Sequence, residues 1–187
     1  MKKINYLFVL FAVFLSFFIL FVSLQSANKN KVSNAIGLVS GKFYVAREIL
    51  PDHSFYPLLM TVDRLRLELA SAEKRPYLLV AYSNRRLFYS EKLLEKGNHD
   101  LAFITLSKAI KYMSQALSEI IFLFEKTSVN KKMEYQILAF FVLENFDKHL
   151  NFIIKYRDQF SNDEKVLLES LFLESSSLAE KLRSLLK

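Results

Sequence analysis

The chain has 187 residues, no cysteine, and only three glycines and three prolines. Without cysteine there is no disulfide, lipoprotein-type anchor, thiol nucleophile or Cys-ligated zinc, and so few breakers point to an all-α chain. The net charge is +7, yet basic and acidic residues are interspersed and no Arg/aromatic platform occurs, which argues against nucleic acid as a partner.

Met1-Lys2-Lys3 leads into an apolar run from Tyr6 to Leu24, 19 residues broken only by Ser16 and Ser23. At about 1.5 Å per residue such a helix crosses a hydrocarbon core of roughly 30 Å. Cleavable secretory signals have a shorter apolar core and a small-x-small site. Here the exit, Ser23-Leu24-Gln25-Ser26-Ala27-Asn28, places Leu24 or Gln25 at the −3 position. Residues 1–27 are therefore expected to be an uncleaved signal anchor with a single membrane span. Lys2 and Lys3 favour a cytoplasmic N-terminus, whereas Lys29, Lys31 and Lys42 pull the other way. A short basic stub before a long apolar core stays inside, so the remainder is expected to be extracytoplasmic.

Residues 28–50 read as a basic membrane-proximal segment and a helix from about Ser33 to Glu48, striped by Ile36, Val39, Phe43, Ala46 and Leu50. Its Gly37-x-x-x-Gly41 lies beyond the span and signals close packing or flexibility rather than pairing within a bilayer. Pro51 ends it, because a proline disfavours helical backbone in the residue before it. An α-helical domain is expected over 51–187. The second helix starts at an N-cap Ser54, admits Pro57 in its first turn and ends near Ala72. Leu58, Val62, Leu65 and Leu69 are expected to face inward. The third runs from Pro76 to Lys96, with Gly97 as the residue that ends it. The fourth spans about Asn98 to Lys126 and the fifth about Asn130 to Gln159. Ser161-Asn162-Asp163-Glu164 is a capping box opening the sixth. The expected fold is all-α: a transmembrane helix followed by an antiparallel bundle of five to six helices.

Two stretches, Ile120 to Phe124 and Leu138 to Leu143, are apolar around the whole helix. A short connection makes their helices antiparallel neighbours, which brings both stretches to one end of the hairpin, against Leu178, Leu182 and Leu185. They are either a covered core end or an exposed apolar patch for association, with Phe122, Phe124, Phe140 and Phe141 as its contact residues.

Leu50-Pro51-Asp52-His53-Ser54-Phe55-Tyr56-Pro57-Leu58 forms a compact L-P-D-x-x-x-Y-P-L element. It is followed by Asp63-Arg64-Leu65-Arg66-Leu67 and later by Leu93-Leu94-Glu95-Lys96-Gly97-Asn98. Over residues 49–117 this resembles the bacterial domain of unknown function 5667 family. The resemblance implies a helical, exported or membrane-anchored protein and supplies no catalytic residue. Tyr56 reads either as a half-buried packing tyrosine or as a recognition corner on an exposed turn. Gly97-Asn98-His99-Asp100-Leu101-Ala102, with Ala109 seven residues on, is similar to a tetratricopeptide-repeat hairpin. Only one such unit is present, so it reads as a repeat-like hairpin within a bundle.

Groups for chemistry are sparse. His53, His99 and His149 lack metal-ligand spacing, and no P-loop, G-x-G-x-x-G or G-x-S-x-G occurs. Glu91 with Glu95 and Glu144 with Lys148 read as exposed helix pairs. Arg64, Arg66, Arg85 and Arg86 are either a solvated face or an anion-binding surface. His149 lies on the apolar stripe Val142, Phe146, Ile153 and Tyr156. It is expected to be half-buried and bonded once, or else pH-responsive. No enzyme, cofactor or metal is expected. The chain reads as a membrane-anchored extracytoplasmic interaction or scaffold protein whose partner is an envelope protein or itself. The alternatives are a helical sheath for lipid or another apolar ligand, and a cytoplasmic peptide-binding tether with reversed topology.

Overall fold

The computed structural model describes residues 49–126 and 132–187. They form five helices: α1 (Tyr56–Glu68), α2 (Arg75–Glu95), α3 (His99–Lys126), α4 (Lys132–Tyr156), a 3-10 turn (Arg157–Gln159) and α5 (Asn162–Leu185). No strand occurs among the described residues, and none of their helices is long and apolar enough to cross a membrane. The apolar run from 6 to 24 and the helix expected over 33–48 lie outside the described residues.

Local chemistry sets two of the helix ends outright. Gly97 adopts φ 76°, and the amides of Gly97 and Asn98 donate back to the carbonyls of Leu94 and Leu93, both at 2.9 Å. This is a Schellman closure, which requires a left-handed residue and so favours glycine. Ser161 and Glu164 form the reciprocal capping box of α5. At α1 the expectation fails: Ser54 is not the cap, the N-cap Phe55 makes no side-chain hydrogen bond, and the helix stops at Glu68. Two turns, His53 N to Leu50 O and Tyr56 N to His53 O, carry the chain past Ser54 before the helix begins at Tyr56.

Contacts between helices set their directions. Asp52 pairs with Lys96, Met60 Sδ accepts from Arg86, and Asp63 pairs with Arg85, so α1 and α2 are antiparallel. Glu73 meets Tyr135, Asn84 meets Asn145 and Glu91 meets Tyr156, so α2 and α4 are parallel. Ser114 with Ser175 and Glu125 with Lys181 make α3 and α5 parallel. The chain therefore runs down and up through five helices, with α3 packed against α2, α4 and α5.

The α2–α3 pair is the closest seam. Ser83 and Ser90 face Ala109 and Ala102, and each serine hydroxyl donates to the opposing alanine carbonyl, at 2.6 and 2.9 Å. Small side chains seven residues apart on both helices let the backbones approach within hydrogen-bonding reach of a serine. Two apolar clusters fill the bundle. One joins Leu79, Val80, Met113, Leu117, Ile120, Leu138, Val142, Phe146 and Leu182; the other joins Leu93, Ala102, Leu106, Ile110, Ile153, Phe160 and Leu168. The stretches 120–124 and 138–143 contribute to the first, together with Leu178, Leu182 and Leu185.

α1 is turned over relative to the expectation. Leu58, Leu65 and Leu69 are 62%, 48% and 68% exposed, whereas Asp63 and Leu67 are buried. The physical cause is Asp63. Its carboxylate is fully buried against the Arg85 guanidinium, and rolling the leucine stripe inward would break this pair and leave the part-buried Arg85 uncompensated. Tyr56, Met60, Asp63 and Leu67, at helical spacing, then form that face. Removing the carboxylate leaves Arg85 uncompensated. Asp63→Ala is expected to destabilise the protein by about 3–5 kcal/mol, and Leu69→Ala, on the exposed stripe, by well under about 1 kcal/mol, measured as urea-unfolding midpoints.

Candidate functional site

An open groove of about 590 Å³ lies between α4 and α5, lined by Phe140, Leu143, Glu144, Asp147, Arg183, Leu186 and Lys187. Arg183 donates to Asp147 across it at 2.8 Å. Phe140 is 61% exposed, and Ile137 and Met133, at 65% and 74%, extend the same row along α4 at i−3 and i−7. An apolar floor with charged residues of both signs at its edges suits the apolar face of another helix or an extended peptide. A free surface with so many large apolar side chains at helical spacing marks a contact region.

The structure separates the residues singled out in the sequence. Phe140 lines this groove. Phe141 and Phe124 pack against the first apolar cluster, Phe141 with its ring 5.4 Å from that of Tyr77. Phe122 is 54% exposed but shares a face of α3 with Ile104, Lys111 and Gln115, under the Lys126 ammonium at 4.1 Å. Tyr56 is half-buried and meets Tyr89 edge-on at 6.2 Å. Met133, Ile137 and Arg183 escaped the sequence reading. The first two share a helical row with Phe140, but the surrounding run is apolar on every side and hides the stripe.

Of the four arginines singled out, Arg64 is exposed on α1, whereas Arg85 and Arg86 of α2 form neither a solvated face nor an open anion site, which corrects both readings for that pair. Arg85 is held by Asp63. Arg86 is 2% exposed, donates to the Tyr82 carbonyl at 3.0 Å and lies 4.1 Å from the Tyr112 ring centre. Stacking on the negative face of a tyrosine is how a buried guanidinium without a carboxylate is held. Burial raises the hydroxyls of Tyr56, Tyr82 and Tyr89 above the usual tyrosine range, so all three stay protonated.

Between the two apolar clusters runs a buried polar chain. Asn145 Nδ2 donates to the Phe141 carbonyl at 2.7 Å, and Asn84 Nδ2 donates to Asn145 Oδ1 at 2.7 Å. His149 Nε2 lies 3.2 Å from Asn84 Oδ1 and 3.1 Å from Ser83 Oγ. The Ser83 proton is committed to the Ala109 carbonyl and Asn84 Oδ1 can only accept, so the tautomer that satisfies the chain carries hydrogen on Nε2. Nδ1 is left buried without a partner. Ser, His and Asn together invite comparison with a nucleophilic triad, and the geometry rejects it. Such a triad orients its base through the second ring nitrogen, but here both contacts fall on Nε2 and Ser83 is fully buried. Among the described residues no group of three or more His, Asp or Glu side chains is placed to hold a metal.

The model of a family described as a domain of unknown function, DUF5667, matches residues 48–169. The match runs through the L-P-D-x-x-x-Y-P-L element and α1 to α4 into the first turns of α5. No curated protein and no solved structure matches the chain.

Burial alone presses His149 down to about 4. The folded value lies below the unfolded value of about 6.5, so the neutral ring is the form that suits the fold. Its contribution is complete above pH 6.5 and is lost as pH falls toward 4, by up to about 3 kcal/mol. Unfolding midpoints measured from pH 7 to 4 should therefore fall more steeply in the natural protein than in His149→Phe.

Proposed function

We propose, for a chain that belongs to the DUF5667 family of domains of unknown function, the role of a membrane-anchored extracytoplasmic interaction module. The apolar run from Tyr6 to Leu24 supplies the anchor, and the α-helical domain presents its contact surface to an envelope protein or to a second copy. The observation that carries this reading is the row Met133, Ile137 and Phe140 leading into the α4–α5 groove. These side chains lie on the side of α4 that no other helix of the bundle covers, and a partner seated there would remove their apolar surface from water. Phe140 and Leu143 are the apolar contacts of the groove; Asp147 and Arg183 set its polarity and register.

Location and contact are tested separately. The chain has no cysteine, so Ser177→Cys on the exposed side of α5 introduces a single thiol. In intact cells, with any outer layer permeabilised, a membrane-impermeant maleimide is expected to label it before lysis. Labelling only after lysis, with the thiol reactive in native protein, would reverse the topology. For contact, chemical cross-linking in membranes is expected to yield a species larger than the monomer from the natural chain, and Ile137→Glu combined with Phe140→Glu should abolish it while leaving the unfolding free energy within about 1 kcal/mol.

A further inference from the structure

α1 has two apolar faces. Tyr56, Met60 and Leu67 with Asp63 lie against α2, while Phe55, Leu58, Leu65 and Leu69 are 63%, 62%, 48% and 68% exposed on the opposite side. With the half-buried Val62 among them, they make a stripe about 21 Å long. Thr61 beside it donates its hydroxyl to the Pro57 carbonyl at 2.9 Å and so turns no unsatisfied donor outward.

The charges around this stripe are nearly all of one sign. Asp63 is buried on Arg85, which leaves Glu68 as the only exposed acid of α1. Arg64 and Arg66 lie on the same helix, and Lys74 in the turn that follows. Arg86 joins Met60 of α1 to the Tyr112 ring of α3, at 3.0 and 4.1 Å, and Lys108 and Lys111 lie within one turn of Tyr112. Arg64, Lys74, Lys108 and Lys111 are exposed and carry no ion pair among the described residues.

We infer that this face of α1 lies on an anionic bilayer surface, with the stripe in the acyl boundary and the basic groups around it on lipid phosphates. The inference rests on the membrane-anchored reading for the presence of a bilayer, and it names a contact with lipid separate from the anchor and from the α4–α5 groove. Binding of this kind grows with the apolar area inserted and with attraction to anionic headgroups, and it needs no matching shape. A protein partner fits less well. Five side chains on one short helix fall far below the roughly 800 Å² per partner of a stable interface between separate molecules. The α4–α5 groove, edged by Glu144, Asp147, Arg183 and Lys187, presents both signs to a partner. The surroundings of α1 present almost one sign, which matches a layer of phosphates.

The chain has no tryptophan, so Leu65→Trp places a single reporter on the stripe, and Val166→Trp, at a 67% exposed position of α5, is the reference. Each full-length protein is reconstituted in vesicles of phosphatidylcholine with ordinary or brominated acyl chains, with and without phosphatidylglycerol. The expected result is loss of fluorescence to brominated lipid at Leu65→Trp but not at Val166→Trp. The loss should be deeper with phosphatidylglycerol and should shrink when Arg64→Glu, Lys108→Glu and Lys111→Glu are added together. Leu58→Trp repeats the measurement if Leu65→Trp loses its helical circular dichroism. Alkaline extraction followed by flotation then reads the anchor independently. A reporter that brominated lipid does not quench overturns the docking: open to acrylamide, the stripe stays in water; shielded from acrylamide, it is covered by protein. Either result leaves the anchor standing if the chain resists extraction. Equal quenching with and without phosphatidylglycerol would overturn the assignment to anionic lipid. A chain that is quenched and then extracted would support the docking and overturn the anchor.

Discussion

The bundle depends on satisfying a layer of polar groups buried between two apolar clusters. Ser83, Asn84, Asn145 and His149 form one directed chain of hydrogen bonds that ends on the carbonyls of Phe141 and Ala109. Ser90, Ser114 and Ser175 make further cross-helix or back-bonds on either side of this layer. A leucine core tolerates sliding, because one methyl group resembles another. A polar chain does not: displacing any one helix by a turn orphans several buried donors and acceptors, each worth about 1–3 kcal/mol. The apolar clusters supply most of the driving force, and the polar layer selects which arrangement of α2, α3 and α4 receives it. Close approach of α2 and α3 is a precondition, since Ser83 and Ser90 reach the opposing carbonyls only across Ala109 and Ala102.

Charge plays a comparable role at the edge. Asp63 and Arg85 determine which way α1 rolls onto α2, and Arg86 fills the adjoining space with its guanidinium on Tyr112 rather than on an acid. One consequence is that a leucine stripe faces away from the bundle. The buried ion pair and the exposed stripe are thus two sides of the same choice: the helix cannot bury both faces against a single neighbour. The α4 row is different in origin. There the helix is apolar all around, α2, α3 and α5 take three of its sides, and Met133, Ile137 and Phe140 remain on the fourth.

Much of the candidate site was visible only in part. Phe140 was singled out from a run apolar on every side, but nothing in that run distinguishes it from Phe141, which packs on Tyr77. A one-residue step turns a side chain by about 100° around a helix, and only the placement of neighbours says which of two adjacent phenylalanines meets solvent. Arg183 on α5 and Leu186 just beyond its end join the groove from far along the chain, and their proximity to Phe140 is a matter of how α4 and α5 pack. His149 lay on an apolar stripe that implied half-burial and one hydrogen bond, whereas it is fully buried with two neighbours on Nε2. Its partners Ser83 and Asn84, more than sixty residues away, were not legible.

Helix content, the glycine closure at Gly97, the capping box at Ser161 and the run long enough to span a bilayer are properties of short stretches of chain. They follow from backbone sterics, local hydrogen bonds and hydropathy, and so the amino-acid order alone determined them. Which face of α1 turns inward, which phenylalanines stay outside and how His149 is satisfied are decided by competition among distant groups for the same buried space. An isolated helix has no reason to prefer Asp63 over Leu65 as its inner residue. Only the Arg85 side chain, brought alongside by the antiparallel packing of α2, offers that carboxylate a buried counter-charge, and the leucines are left facing away from the bundle.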